Sequence, residues 1–148
     1  MSLSPAELRQ RIEARITAAL GSGSPPWRVA GLAYDAFPGA DLSDREALSF
    51  AVGVPSSTFL DGRQPVGGVA PVRSIVGVRF TSYLRTDAHV ADYDRALERE
   101  VELVAAVRST VGDGGPAARI VSVQRLTAGN ETTFYGEITL EVFHPYPL

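Results

Sequence analysis

Residues 72–85 read Val-Arg-Ser-Ile-Val-Gly-Val-Arg-Phe-Thr-Ser-Tyr-Leu-Arg. One set of alternate positions holds Val72, Ser74, Val76, Val78, Phe80, Ser82 and Leu84. The other holds Arg73, Ile75, Gly77, Arg79, Thr81, Tyr83 and Arg85. A period of two over this length predicts a long strand, because successive side chains leave a strand on opposite faces. Three arginines on one face direct that face toward water or a partner.

Upstream, Leu48, Phe50, Val52 and Val54 alternate with Ser49, Ala51 and Gly53, which predicts a second strand over 48–55 ended by Pro55. Residues 56–71 show no clear period and contain Gly62, Pro65, Gly67, Gly68 and Pro71. They read as a long loop, functional or disordered, or as two short strand extensions around a hairpin tip. Downstream, 87–112 reads as a helix with an apolar stripe of Val90, Leu97, Val101, Val104, Val107 or Arg108, and Val111. Thr86 or Asp87 is its candidate cap, and Gly112-Asp113-Gly114-Gly115-Pro116 ends it. Arg119–Leu126 and Thr133–Phe143 then form a β-hairpin, and His144-Pro145-Tyr146-Pro147 is unsuited to continuing a central strand.

The first segment is a helix. Ser4, Pro5 and Glu7 make a capping box with proline at the first position, and Leu8, Ile12, Ile16 and Leu20 form one stripe. Gly21 is suited to ending it in the left-handed conformation. A loose strand runs from Trp27 to about Ala36, and 40–46 is a polar loop. The order is αβββαββ. It predicts an α+β fold in one domain spanning 1–148, with a mostly antiparallel sheet of about five strands and both helices on one face.

Composition narrows the chemistry. At 148 residues and 15.8 kDa the chain is long enough to bury a core without staples. It has no cysteine, which excludes disulfides, thiolate catalysis and thiolate metal sites. All 14 basic residues are arginine, so a phosphate-loop lysine and a Schiff-base lysine are excluded. A net charge of −3 argues against a dedicated nucleic-acid binder. No apolar run is long enough to span a membrane, and residues 1–20 lack a signal-peptide layout.

No catalytic constellation stands out. His89 and His144 lie outside any metal-spaced pair and read as solvated side chains beside turns. Asp41, Asp44 and Glu46 read as a solvated loop. The glycine stretches 21–23 and 112–115 follow helices, whereas a dinucleotide loop must follow a strand. Ser56-Ser57-Thr58 has no histidine near it in sequence.

Charge is segregated instead. In 48–86 four arginines stand against Asp61, a net +3, while in 87–115 seven acids stand against three arginines, a net −4. Either the two segments neutralise each other inside one protomer, or the basic edge of one copy meets the acidic helix of the next in a head-to-tail ring.

The amphipathic helix ending at Leu20, Leu48–Pro55, the loop after it, Val76-Gly77-Val78-Arg79-Phe80, Tyr83–Asp87, Asp92-Tyr93-Asp94 leading into the acidic helix, and the closing hairpin with Phe134-Tyr135-Gly136-Glu137-Ile138 carry a pattern that runs over nearly the whole chain. In this pattern the chain resembles the small tail terminator proteins of long-tailed, lambda-type bacteriophages and related tail-like particles. The resemblance implies a virion structural protein without catalytic residues or cofactor. It implies a homo-hexameric ring on the last ring of the tail tube. That ring stops tube growth and offers the surface for head or neck attachment. The implied partners are further copies of the chain, the tail-tube protein and a neck or head-completion protein. Genomic DNA would pass through the lumen without specific binding, and assembly would take place in the host cytoplasm with no membrane involved.

On this reading the candidate interface residues are Phe59, Arg63, Val66 and Val69 in the loop, Arg73, Arg79 and Arg85 on the long strand, and Glu98 and Glu102 on the acidic helix. Two other readings compete with it. One is a neck or head-completion protein; the other is a small α+β enzyme or ligand-binding domain, with its pocket around His89 or the 41–46 loop.

Overall fold

A computed structural model describes residues 2–23, 25–31, 33–35, 48–60, 68–108, 117–126 and 132–148. Helix α1 (Pro5–Leu20) starts at the predicted capping box. The Glu7 N–H donates to Ser4 Oγ at 3.2 Å, and the Ser4 N–H donates to the Glu7 carboxylate at 2.7 Å. Pro5 brings no N–H, so two of the three amides of the first turn are thereby satisfied. Leu8, Ile12 and Ile16 are buried on one face. Gly21 differs from expectation. It stays right-handed, at φ −70° and ψ −16°, and its N–H donates to Thr17 O at 2.8 Å.

Strand β1 (Trp27–Val29) is three residues long, shorter than the Trp27–Ala36 expectation: the chain bends at Gly31 and turns at 34–35, and Leu32 and Ala36 lie outside the described residues. It pairs parallel to β2 (Leu48–Phe59), so the sheet is mixed and not wholly antiparallel. Pro55 does not end β2. A bulge between Gly53 and Ser56 takes up Val54 and Pro55, and the strand continues to Phe59. Strand β3 (Val69–Tyr83) begins correspondingly early. The strand-extension reading of 56–71 therefore holds at both ends, and 61–67 lies outside the described residues.

A 3₁₀ turn (Thr86–Ala88) leads into helix α2 (His89–Arg108), and strands β4 (Ala117–Leu126) and β5 (Thr133–Pro147) follow. The sheet order is β1-β2-β3-β5-β4, with every pair but the first antiparallel. Phe50, Val52, Val76, Val78, Phe80, Ile138 and Leu140 form one core with Leu8, Ile12 and Ile16 of α1 and Leu103 and Val107 of α2. Both helices thus cover one face, here termed inner.

Helix α2 is turned from its predicted orientation. Val90 and Val101, placed in the core stripe by periodicity, are 74% and 66% exposed. The buried face carries Ala96, Leu103, Ala106 and Val107 together with Asp92 and Glu100. At 3.6 residues per turn the buried face lies roughly a third of a turn from the predicted stripe. Each buried acid meets an arginine. Asp92 accepts from Arg85 Nε and Nη2 at 2.9 and 3.0 Å and from the Arg85 N–H at 2.8 Å, and Glu100 accepts from Arg125 Nη2 at 2.6 Å. Ion pairing, and not only apolar burial, fixes how the helix sits.

Strand β5 runs through His144–Pro147, against expectation. Pro145 stands opposite Pro71. Pro145 O accepts from the Leu3 N–H at 2.8 Å and Pro71 O from the Leu60 N–H at 3.1 Å, so both prolines turn their backbone away from each other. In an antiparallel pair this position exchanges no hydrogen bond, so neither missing N–H breaks the ladder.

Candidate protein interface

Strand β4 ends at Ala117, opposite Phe143. Past that point β2, β3 and β5 continue as a three-stranded arm made of 56–59, 69–73 and 143–147. Its inner face is closed at the root, while Phe59 near the tip is 50% exposed. Leu3, Ala70, Val72, Ser74 and His144 are buried there, and Phe59 meets the Tyr146 ring edge-on at 5.4 Å.

The outer face is open. Leu60, Val69 and Phe143 are 51%, 37% and 41% exposed, and Pro71 and Pro145 are exposed among them. Leu148 lies at the tip, its N–H donating to Gly68 O at 2.9 Å. Beside this apolar strip Glu141 is shared by two arginines, Arg73 at 3.2 Å and Arg119 at 2.6 Å. Two cations against one anion leave the strip's border positive. A clustered apolar face rimmed by charge is the usual mark of a protein contact.

The sheet edges look different. β1 offers three residues. β4 carries a register shift between Ile120 and Ser122 and the charged Arg119 and Arg125, features that discourage strand addition.

The predicted interface residues scatter on this frame. Val69 and Arg73 lie on the outer face of the arm, and Phe59 lies at the border of its inner face. Arg63 and Val66 fall outside the described residues. Arg79 pairs with Glu137 at 2.7 Å, and Arg85 is held by Asp92. Glu102 pairs with Arg99 at 3.1 Å, and Glu98 is exposed on α2. Arg73, Arg79 and Arg85 are each paired within the protomer, two of them with β5 carboxylates that lie outside both sequence windows used to total the charge, and Arg73 shares its carboxylate with Arg119.

Leu60, Phe143 and Pro145 were missed by sequence reasoning. One signal was available. Phe143 occupies the polar set of positions on β5, in step with Glu137, Thr139 and Glu141.

His144 is buried at 4% exposure, not solvated. Its Nε2 lies 2.6 Å from Ser74 Oγ, which lies 2.7 Å from Ser57 Oγ. The fold thus brings a histidine to the 56–58 hydroxyl cluster. Ser74, the hydroxyl that the imidazole touches, is wholly buried and closed to a substrate. The chain of bonds crosslinks three strands at the root of the arm. His89 is exposed at the start of α2, and the 41–46 loop lies outside the described residues. A cavity of about 420 Å³ opens between α1, residues 29–35 and β2, and the one cation and one acid that α1 gives it, Arg9 and Glu13, are paired to each other.

Among the described residues no helix is long and apolar enough to cross a membrane. No protein-family model matches the chain, and no curated protein matches it.

Proposed function

We propose that the chain is a structural assembly subunit that binds further copies of itself through the outer face of its arm. In the reading that the sequence resemblance favours, it acts as a tail terminator: a ring, six-membered by that resemblance, at the end of a tail tube. The ring halts tube growth and offers a platform to a neck or head-completion protein. The observation that carries this reading is the strip of Leu60, Val69, Pro71, Phe143 and Pro145, which the described residues leave uncovered. Burying such a strip against a neighbour gains roughly 25 cal/mol per Å² of apolar surface removed from water.

Native mass spectrometry of the purified chain, with imaging of the parent particle, tests it. Closed rings of one copy number and density at the tube end are expected. A protein that stays monomeric at high concentration and is absent from the tube end overturns the reading.

A further inference from the structure

We infer that the surface received by the arm is the exposed stripe of α2 on a neighbouring copy, centred on Val90 and Val101. This pairing rests on the assembly reading above and adds the partner surface to it.

Three observations support it. First, α2 presents a second side, holding two valines, that the described residues leave uncovered. Val90 and Val101 are 74% and 66% exposed, although Leu97 and Val104 beside them pack partly on the core. At 100° per residue, Ala91, Asp94, Glu98 and Ala105 share this side of the helix, and all four are exposed. Second, α2 covers the inner face of the sheet while the arm strip faces outward. The two surfaces of one protomer therefore point away from each other and meet only between copies. A contact between unlike surfaces leaves one of each free, so it propagates from copy to copy and closes into a ring when the rotation permits.

Third, charge favours unlike pairing. The arm strip is bordered by Arg73 and Arg119, which share a single carboxylate, and the α2 stripe carries Asp94 and Glu98 against one cation, Arg108, five turns from Val90. Arm against arm would oppose like positive borders, and helix against helix would oppose like acids. Arm against helix opposes cations to acids, which fixes both register and partner. Strand addition at the arm is blocked on the β5 side, where Pro145 and Pro147 bring no N–H. On that side the contact is left to side chains, while β2 beyond its three pairs with β1 is an edge strand broken by Pro55 and its bulge.

The absence of cysteine makes the test clean. Val101→Cys and Phe143→Cys alter exposed side chains, so each variant is expected to fold. The two single variants are mixed in equal amounts and treated with a short bis-maleimide. The expected product is a Val101→Cys to Phe143→Cys cross-link well above either same-site product, and a variant carrying both changes gives a ladder ending at the ring. Assembly intact by native mass spectrometry with only same-site cross-links overturns the arm-to-helix pairing and leaves the assembly reading standing. A wild-type chain that is monomeric in the same spectrometer overturns both.

Charge exchange supplies a second measurement. The double change Asp94→Arg, Glu98→Arg abolishes self-assembly, and an Arg119→Glu copy restores mixed assembly with it. Failure of Arg119→Glu to restore mixed assembly, or no loss in the first variant, counts against the pairing.

Discussion

The phenol of Tyr34 donates a 2.8 Å hydrogen bond to Glu137 Oε2 across 103 residues of sequence. The same carboxylate oxygen accepts from Arg79 Nε at 2.7 Å, while Arg79 Nη1 donates to Tyr34 O at 2.7 Å and its guanidinium lies 4.0 Å from the ring centroid. These three side chains strap residues 33–35 onto the outer face of the sheet. Burial, reinforced by the bond to Glu137, pushes the Tyr34 phenol up to about 12. Tyr34→Phe removes one bond and is expected to cost about 1 kcal/mol in urea unfolding. Glu137→Ala strands a half-buried arginine and costs more. Because the folded chain holds the Tyr34 proton more tightly than the ordinary value of 10.0, that part of its stability is whole below pH 10 and is lost as pH rises toward about 12. Unfolding of Tyr34→Phe followed over the same range shows a smaller alkaline loss.

Gly53 and Gly77 pair across β2 and β3 directly beneath that ring, and a Cβ at either would overlap it. Gly77→Ala is expected to destabilise by roughly 1–3 kcal/mol, as overpacking does. In a Tyr34→Ala background the same change is nearly free. A double-mutant cycle reading no coupling between the two positions contradicts the strap.

The two hydrogen-bonded arms of the Arg85 guanidinium, with its backbone N–H, hold the Asp92 carboxyl down to about 2, against an ordinary 3.8. A depressed carboxyl gives stability that is present above the unfolded value and disappears as pH falls through the folded one. The melting-temperature gap between wild type and Asp92→Asn is therefore expected to be full at neutral pH and to narrow between pH 4 and 2. A gap constant across that window would show that the pair does not hold the helix.

Opposite faces of α2 give a paired prediction. Leu103 is wholly buried and Val101 exposed. Leu103→Ala is expected to cost about 2–5 kcal/mol of protomer stability. Val101→Ala stays within about 0.5 kcal/mol, as ordinary surface changes do, and weakens self-association. Calorimetry beside sedimentation separates the two effects.

The long strand, both helices and the closing hairpin were legible from period alone, because apolar burial dominates each of them. Helix α2 was misoriented because two valine positions outweighed two acids in the count, and only the fold shows that Asp92 and Glu100 have arginines waiting. The ends of β2 and β5 were cut short at prolines, since a missing N–H matters only where the ladder needs it, and pairing parity is invisible in one strand. Of the outer-face strip and its border, Val69 and Arg73 are among the residues that the sequence singles out. Leu60, Phe143 and Pro145 needed the register that sets three strands side by side.

Strand β5 lies between β3 and β4, although it is made after every other described element. During synthesis, the far edge of β3 has no strand beside it until residues 133–147 leave the ribosome. Phe143 and Pro145 belong to that same stretch. A nascent chain therefore exposes no finished docking strip, and only full-length copies are competent to join one another.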